Sequence, residues 1–281
     1  MLSHQQILHF RTFGFVTLRG LLSRAEADTL REEVTAALAD ALGPPAEAPG
    51  DQGGGISGSY LPIAARRAPL SMSLIADDER TFQTSAELLG RPTVPTAGVA
   101  TRFTADSVWH TRQGPDIGGV TVWADLEPRT AGTGALRLIP GSHLPGFEHR
   151  LGEYGAAEPA ASGFGGWEWP HVVVETEPGD VVAFHAHLLN RAQGGAPRLS
   201  WTIDYLPWPG LGRPDQLEVV RDLVVDAGEF GHEDYDRDRW PVWRDWAAGA
   251  AQLPSRAVAL ERLRLFGVLA DGDGRAADGN G

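Results

Sequence analysis

The side chains best suited to chemistry lie in two short runs of the chain. The first run, WHTR, carries His110 and Arg112, and the second, FHAHLLN, contains Asn190 and is followed by Arg198. An imidazole exchanges protons near neutral pH, and a guanidinium binds a carboxylate through two parallel hydrogen bonds. If Arg112 and Arg198 enter one pocket, that pocket is cationic and favours an anionic ligand, or an enolate or alkoxide that develops during a reaction.

Composition excludes several other classes of site. All 24 basic residues are Arg, so a Lys Schiff base or Lys general base is excluded, and with no Cys there is neither a disulfide nor a thiolate nucleophile or ligand. The net charge of −13 argues against a nucleic-acid partner. No apolar run reaches the roughly 18–20 residues of a membrane span, and the first residues lack a secretion signal. We therefore expect a cytoplasmic protein that binds a small molecule; its oligomeric state stays open.

Helices are predicted at both ends of the chain. Ser3 caps a first helix that ends at Gly14, and the Ser23/Glu26 capping box opens a second helix that runs to about Leu42. A strand over Phe15–Arg19 lies between them. Further helices are expected over Met72–Leu89, Asp215–Ala227, Trp240–Ala251 and Ser255–Leu269, with Trp240, Trp243 and Trp246 as packing residues.

The middle of the chain alternates short apolar runs with Gly and Pro turns, which is typical of a sandwich, barrel or jelly roll. The predicted strands are Val94–Phe103, Val120–Leu126, Ala135–Ile139, Val172–Thr176, Val181–Leu189 and Leu199–Tyr205. Residues 43–59 form a Gly-rich loop that could act as a lid, with Tyr60 at its end. Residues 146–169 are expected to be an inserted surface loop, and residues 271–281 a disordered tail.

The runs GALRLIPGSH (134–143) and GDVVAF (179–184), with the WHTR run and the helix–strand–helix start, resemble the phytanoyl-CoA dioxygenase family. The resemblance covers roughly residues 3–42 and 93–206. It implies a double-stranded β-helix core over about 93–206 with helical flanks, 3–89 and 210–269, in one domain of residues 1–270. It also implies the iron(II)- and 2-oxoglutarate-dependent chemistry of that family.

The metal ligands of the family are not all present. The family carries His-x-Asp on one strand and a distal His on another, whereas this chain has His110, then Arg112 in the carboxylate position, and Asn190 in the distal position. A cation beside a dication is repelled by roughly 4 kcal/mol per unit charge pair at 4 Å and an effective dielectric constant near 20. Arg198 stands where the family keeps the Arg that grips 2-oxoglutarate.

The sequence therefore predicts an enzyme on the oxygenase scaffold with a degraded triad. We assign no metal ligand and expect no cofactor, with His110, Arg112 and Asn190 as the catalytic residues of a metal-independent, non-oxidative reaction. That reaction is a cyclisation, isomerisation, dehydration or addition on a small organic molecule, such as a natural product. The residues expected to bind substrate are Arg198, Trp109, Tyr60, Trp123 and Trp201.

Two alternatives stay open. The first is an iron(II)/2-oxoglutarate oxygenase with non-standard ligands, in which Asp116 and either His185 or His187 join His110. Strand alternation places both of these histidines on the face opposite Asn190 unless a bulge intervenes. The second is a non-catalytic protein that kept the fold and binds a small molecule or a partner.

Overall fold

The structure is a computed structural model of the full chain. It describes residues 1–42, 58–62, 69–76, 78–96, 99–103, 106–112, 117–156, 169–195, 197–229 and 254–266. The Gly-rich loop up to residue 57, Asp116, the predicted helix with Trp240, Trp243 and Trp246, and the predicted tail lie outside the described residues.

The first three elements form as their capping residues predict. Helix α1 (His4–Phe13) begins at Ser3, whose side chain accepts from the Gln6 amide, and ends at Gly14 in the left-handed conformation, with φ of 86°. Strand β1 (Phe15–Leu18) follows. Helix α2 (Arg24–Leu42) opens with the Ser23/Glu26 capping box, in which each side chain bonds the other's backbone amide.

A seven-stranded sheet forms the larger layer. Its strands run in the order β1-β8-β5-β10-β4-β2, all antiparallel where they pair, and β3 pairs with the end of β10. The strands of this large sheet are β1, β2 (Gly58–Pro62), β3 (Thr93–Pro95), β4 (Val99–Phe103), β5 (Val120–Asp125), β8 (Val181–His185) and β10 (Arg198–Pro207).

A three-stranded sheet faces the large one. It has the order β7-β6-β9, with β6 (Leu136–Leu138) between β7 (Val172–Val174) and β9 (Asn190–Ala192). The facing sides of the two sheets bury one apolar cluster, made of Phe103, Trp123, Leu136, Leu138, Val174, Val182, Phe184 and Leu188. Two antiparallel sheets packed in this way give the predicted jelly-roll architecture.

The other side of the large sheet is covered by helices. These are α1, α2, α3 (Pro69–Ala76), α4 (Glu79–Leu89), α6 (Pro214–Glu229) and α7 (Pro254–Leu265). Because side chains alternate along a strand, β10 sends Leu199, Trp201, Ile203 and Tyr205 into this helical layer. Its other side chains, Arg198, Ser200, Thr202 and Asp204, face the interior between the two sheets.

Several predicted boundaries are wrong. The run 94–103 is two strands, and the predicted helix 72–89 is two helices, the second of which begins at the N-cap Asp78. The predicted surface loop 146–169 contains helix α5 (Phe147–Ala156). Strand 181–189 stops at His185, and a turn separates it from β9, which none of the predicted strands covers.

Candidate active site

One pocket brings the three predicted catalytic residues together between the two sheets. It is lined by Phe103, Ser107, His110, Arg112, Trp123, Leu136, Asn190 and Ala192. A β-bridge holds two of the three in place: the His110 amide donates to the Asn190 carbonyl over 3.1 Å, and the Asn190 amide donates to the His110 carbonyl over 2.9 Å. The backbone therefore fixes these two side chains side by side.

His110 has one ring nitrogen committed to the backbone. Its Nδ1 lies 2.8 Å from the Val108 carbonyl oxygen, which can only accept, so Nδ1 carries the proton and Nε2 has the lone pair. Burial lowers the pKa of His110, and the nearby charge of Arg112 lowers it further, while the bond to Val108 opposes both effects. The imidazole is thus neutral at pH 7 and suited to accept a proton.

Arg112 is paired with a carboxylate that sequence reasoning did not single out for this role. Its Nη2 lies 3.4 Å from Oδ2 of Asp204, and the other oxygen of Asp204 accepts from the Thr121 hydroxyl over 2.5 Å. Both side chains are about one-fifth exposed, at 19% and 20%. Arg112, which lines the pocket, is therefore paired with a carboxylate, where the sequence suggested an uncompensated cation. The alternation of β10 with Arg198 places Asp204 on the inward face, and this is the signal that could have found it.

Asn190 presents its amide oxygen to the pocket. Its Nδ2 donates to the carbonyl oxygens of His110 and Leu188, each over 3.0 Å, and these two acceptors fix the orientation of the amide. An amide oxygen held in this way can accept a hydrogen bond from a substrate hydroxyl or amine.

Arg198 is buried behind Phe103. Its guanidinium lies 5.1 Å from the Phe103 ring centre, Nη1 donates to the Gly195 carbonyl over 2.6 Å, and Asp106 lies 3.6 Å away. The side chain fits only because residue 134 is Gly, with φ of 93°: a Cβ there would lie 2.5 Å from Cδ of Arg198. This packing explains why the GALR motif begins with Gly.

Two hydroxyls next to Arg198 on the inward face of β10 have no hydrogen-bond partner among the described residues. Ser200 Oγ and Thr202 Oγ1 are buried and make no hydrogen bond within the described part of the chain. A buried hydroxyl without a partner costs about 1–3 kcal/mol. The two hydroxyls on the inward face of β10 can therefore form hydrogen bonds with a polar group of a ligand.

The aromatic residues predicted to bind substrate do not all line the pocket. Trp123 lines the pocket, stacks on Phe103 with ring centres 5.6 Å apart, and donates from Nε1 to Asp125 over 3.0 Å. Trp201 does not reach the pocket: its odd position on β10 turns it into the helical layer, where it is fully buried and donates to the Ser71 hydroxyl. The prediction for Trp201 is wrong for that reason.

The other two aromatic residues predicted to bind substrate are Trp109 and Tyr60. Trp109 contacts Arg191, Trp169 and His171 on the outer face of the small sheet, away from the pocket. Tyr60 lies on β2, where it pairs with Thr101, and its side chain is outside the described residues.

The two histidines considered as substitute ligands lie on the α1 side of β8. The His185 ring is 5.1 Å from both His143 and His187 and 6.3 Å from Phe10, between centres. Burial, together with these neighbouring imidazoles and Arg91, lowers the pKa of His185 to about 3. Neither His185 nor His187 lines the pocket described above.

The comparisons with known proteins decide the family. The family model for phytanoyl-CoA dioxygenase (PhyH) matches residues 10–194. The chain belongs to the PhyH family. No curated protein sequence matches it. Among the residues that the structure describes, no helix is both long and apolar enough to cross a membrane.

Several solved structures share the fold at low sequence identity. HygX from Streptomyces hygroscopicus, with nickel and 2-oxoglutarate bound, is 19% identical, with 74% of this chain and 88% of that chain covered and a TM-score of 0.56. The carbocyclase SnoK from nogalamycin biosynthesis is 20% identical, with 76% and 90% covered and a TM-score of 0.56. The epimerase SnoN, in complex with Fe3+, alpha ketoglutarate and nogalamycin RO, is 18% identical, with 72% and 82% covered and a TM-score of 0.56. These likenesses confirm the double-stranded β-helix.

The expectation that no cofactor is needed is wrong on this comparison. The PhyH family model and the structures of HygX and SnoN point to iron and 2-oxoglutarate. The residues of this chain fit 2-oxoglutarate better than they fit iron. Arg198 suits a carboxylate such as that of 2-oxoglutarate, and so does the hydroxyl of Ser200 two residues along the same strand face, which bonds to no described residue.

The iron site fits less well. His110 has the tautomer of a metal-bound histidine, with its second nitrogen bonded to a backbone carbonyl. Asn190 offers an amide oxygen, but Arg112 occupies the carboxylate position. In the described ranges no group of three or more His, Asp or Glu side chains is arranged to hold a metal ion. The donor set of the described residues thus departs from the two-histidine, one-carboxylate pattern.

Proposed function

We propose that this PhyH protein is a tailoring enzyme that carries out a non-oxidative acid–base reaction on a small organic molecule. Cyclisation, isomerisation, dehydration and addition all belong to this class. The observation that carries the proposal is the pocket in which a neutral His110 with a fixed tautomer lies beside the Arg112–Asp204 ion pair. An epimerase and a carbocyclase from nogalamycin biosynthesis have the same fold, which supports a natural product as the substrate class.

The roles of the side chains follow from their hydrogen bonds. His110 accepts a proton at Nε2 from a carbon or hydroxyl of the substrate and returns it to another atom. Arg112 stabilises the negative charge that develops when the proton leaves. Asn190 accepts a hydrogen bond from the substrate through its amide oxygen, and Trp123 supplies an apolar wall. Arg198 contributes positive charge behind Phe103.

Proton exchange tests this proposal even though the product is not identified. The protein is incubated in D2O with a panel of polyketide glycosides and ketone-bearing carboxylic acids, and deuterium incorporation is followed by NMR. We expect incorporation into one compound class, with a loss of about 10²- to 10⁴-fold in His110→Gln. Arg24→Gln, a change on exposed helix α2, is the control and should behave as wild type. Equal exchange with wild type and His110→Gln would refute the role of His110.

An iron(II)/2-oxoglutarate oxygenase is the second candidate function. The bound groups of HygX and SnoN favour it, and so does the Ser200 hydroxyl next to Arg198, which has no partner in the described part of the chain. Iron content and succinate formation, measured under anaerobic reconstitution and then in air, distinguish the two candidates. One iron per chain with 2-oxoglutarate turnover in wild-type protein would establish the oxygenase.

A matched variant makes that measurement interpretable. Arg112→Asp with Asn190→His restores the ligand types of the family on the same backbone. If the variant turns over 2-oxoglutarate and the wild type does not, the scaffold is competent and the acid–base proposal stands. If neither protein turns over 2-oxoglutarate, the deuterium-exchange measurement with the substrate panel alone tests the acid–base proposal.

A further inference from the structure

Asp204 is the partner of a residue that lines the pocket. Its Oδ2 lies 3.4 Å from Nη2 of Arg112. Arg112 is the one charged residue among the described residues that line the pocket, since His110 is neutral. A carboxylate at this distance offsets much of the electric field of the guanidinium. The charge that a ligand meets at Arg112 is therefore set by Arg112 and Asp204 together.

Both members of this ion pair are anchored to the sheet. The Thr121 hydroxyl, opposite Asp204 in the register of β5 and β10, donates to the second carboxylate oxygen over 2.5 Å. The Asp204 carbonyl accepts from the amide of Thr96 over 2.8 Å and from its hydroxyl over 2.9 Å. The Arg112 amide donates to the Ala186 carbonyl over 2.9 Å. A ligand that enters the pocket therefore meets Arg112 with Asp204 already beside it.

Two ligand groups of similar shape respond differently to this ion pair. A carboxylate is attracted by Arg112 but repelled by Asp204, and it loses its hydration on entering the pocket. An uncharged carbonyl or hydroxyl loses far less hydration, and its oxygen can accept a hydrogen bond from a guanidinium. The ion pair therefore favours an uncharged group at this end of the pocket.

We propose that Asp204 makes the pocket select a substrate whose group beside Arg112 is uncharged, such as a ketone or a hydroxyl, over one that carries a carboxylate there. The inference rests on the proposed function, in which this pocket binds the substrate. Asp204 acts through Arg112, so it is a positioning residue. An uncharged carbonyl gains negative charge only as the proton leaves, so Arg112 then stabilises the transition state more than the bound substrate. A carboxylate elsewhere on the substrate, near Arg198, is compatible with this selection.

Acetate and acetamide test this selection, because they have nearly the same shape and differ in charge. Protein labelled with 15N is titrated with each probe at pH 7 and constant ionic strength, and the indole N–H resonance of the pocket residue Trp123 is followed. The resonance is assigned by its loss in Trp123→Phe. We expect the wild type to bind acetate no more tightly than acetamide.

Three variants separate the charge of Asp204 from its other contacts. Asp204→Asn keeps an oxygen that can accept from Thr121 but removes the charge. It should bind acetate at least about tenfold more tightly than wild type, with acetamide binding unchanged within about twofold. Asp204→Glu keeps the charge and should keep the wild-type preference. Asp222→Asn removes a surface carboxylate that also pairs with an arginine, Arg221, over 2.9 Å, and should bind both probes as wild type.

Three results would overturn the proposal: a wild type that prefers acetate, an equal preference in wild type and Asp204→Asn, or no acetate-induced shift in Asp204→Asn up to about 100 mM. Should Asp204→Asn fail to fold in a thermal melt, Arg112→Gln leaves the Asp204 carboxylate without its cation. This variant should bind methylammonium at least about tenfold more tightly than wild type, and equal binding would overturn the proposal. Because probe binding requires no turnover, a lack of deuterium exchange would refute the acid–base chemistry alone, and the titrations would still decide the selectivity.

Discussion

The ion pair between Arg112 and Asp204 can be tested by a double-mutant cycle. Asp204→Asn removes the carboxylate that lies 3.4 Å from Nη2 of Arg112, and Arg112→Gln removes the cation. The Coulomb attraction at this distance is roughly 5 kcal/mol at an effective dielectric constant of 20 and about 1 kcal/mol in bulk water. Because each side chain is about one-fifth exposed, solvent screening reduces the attraction, and we expect a coupling free energy of about 1–2 kcal/mol.

The assay is urea unfolding of four proteins at pH 7: wild type, the two single variants and the double variant. Each single variant should lower the free energy of unfolding, and the double variant should be more stable than the sum of the two losses predicts. Thr121→Val is a useful addition, since it removes the other bond to the Asp204 carboxylate but leaves both charges. A coupling near zero would refute the pairing, and with it the view that the charge of Arg112 is balanced inside the pocket.

Three further predictions concern the stability of the fold. His185 has a pKa of about 3 in the fold and about 6.5 in the unfolded chain. Because the unfolded state binds more protons between these two pH values, the urea midpoint should fall as the pH drops below 6.5. His185→Phe removes the titrating group and should flatten this pH dependence. Gly134→Ala should destabilise by about 2 kcal/mol or more, because its Cβ would clash with Arg198 at positive φ, whereas Gly132→Ala, with open space around it, should change the midpoint little. Trp201→Ala should cost about 3–5 kcal/mol, since the ring is fully buried, and a midpoint near that of wild type would contradict its place in the core.

Local signals in the sequence predicted the first elements of the fold well. The caps Ser3 and Gly14 and the Ser23/Glu26 box act within one turn of a helix, so their effect does not depend on distant residues. Boundaries inside the β region were less accurate, because a turn such as 186–189 is made by packing between strands. The helix Phe147–Ala156 was missed because the Gly-rich run GFGGWEW (163–169) led to a loop prediction for the whole of residues 146–169.

The sequence predicted which residues lie together in the candidate site, but not that the charge of Arg112 is paired with a carboxylate. The motif positions of His110, Arg112 and Asn190 sufficed to expect them in one pocket, and the structure places them there. Asp204 lies 92 residues from Arg112 along the chain, and only the pairing of β10 with β5 brings its carboxylate to that position. Trp201 was misplaced because it lies three positions after Arg198, and side-chain alternation along β10 therefore puts the two on opposite faces.

Contiguous motifs and composition were enough to establish the family scaffold, the absence of Cys and Lys chemistry, and the residue types in the three ligand positions. These properties depend only on which residues follow one another, as in GALRLIPGSH. Which side chains share an environment was set by the tertiary structure: Arg112 with Asp204, Arg198 with Phe103 and Gly134, and Arg137 with Arg191 on the outer face. The physical reason is that burial and electrostatic pairing depend on distance in space, which strand register sets between residues far apart in the chain.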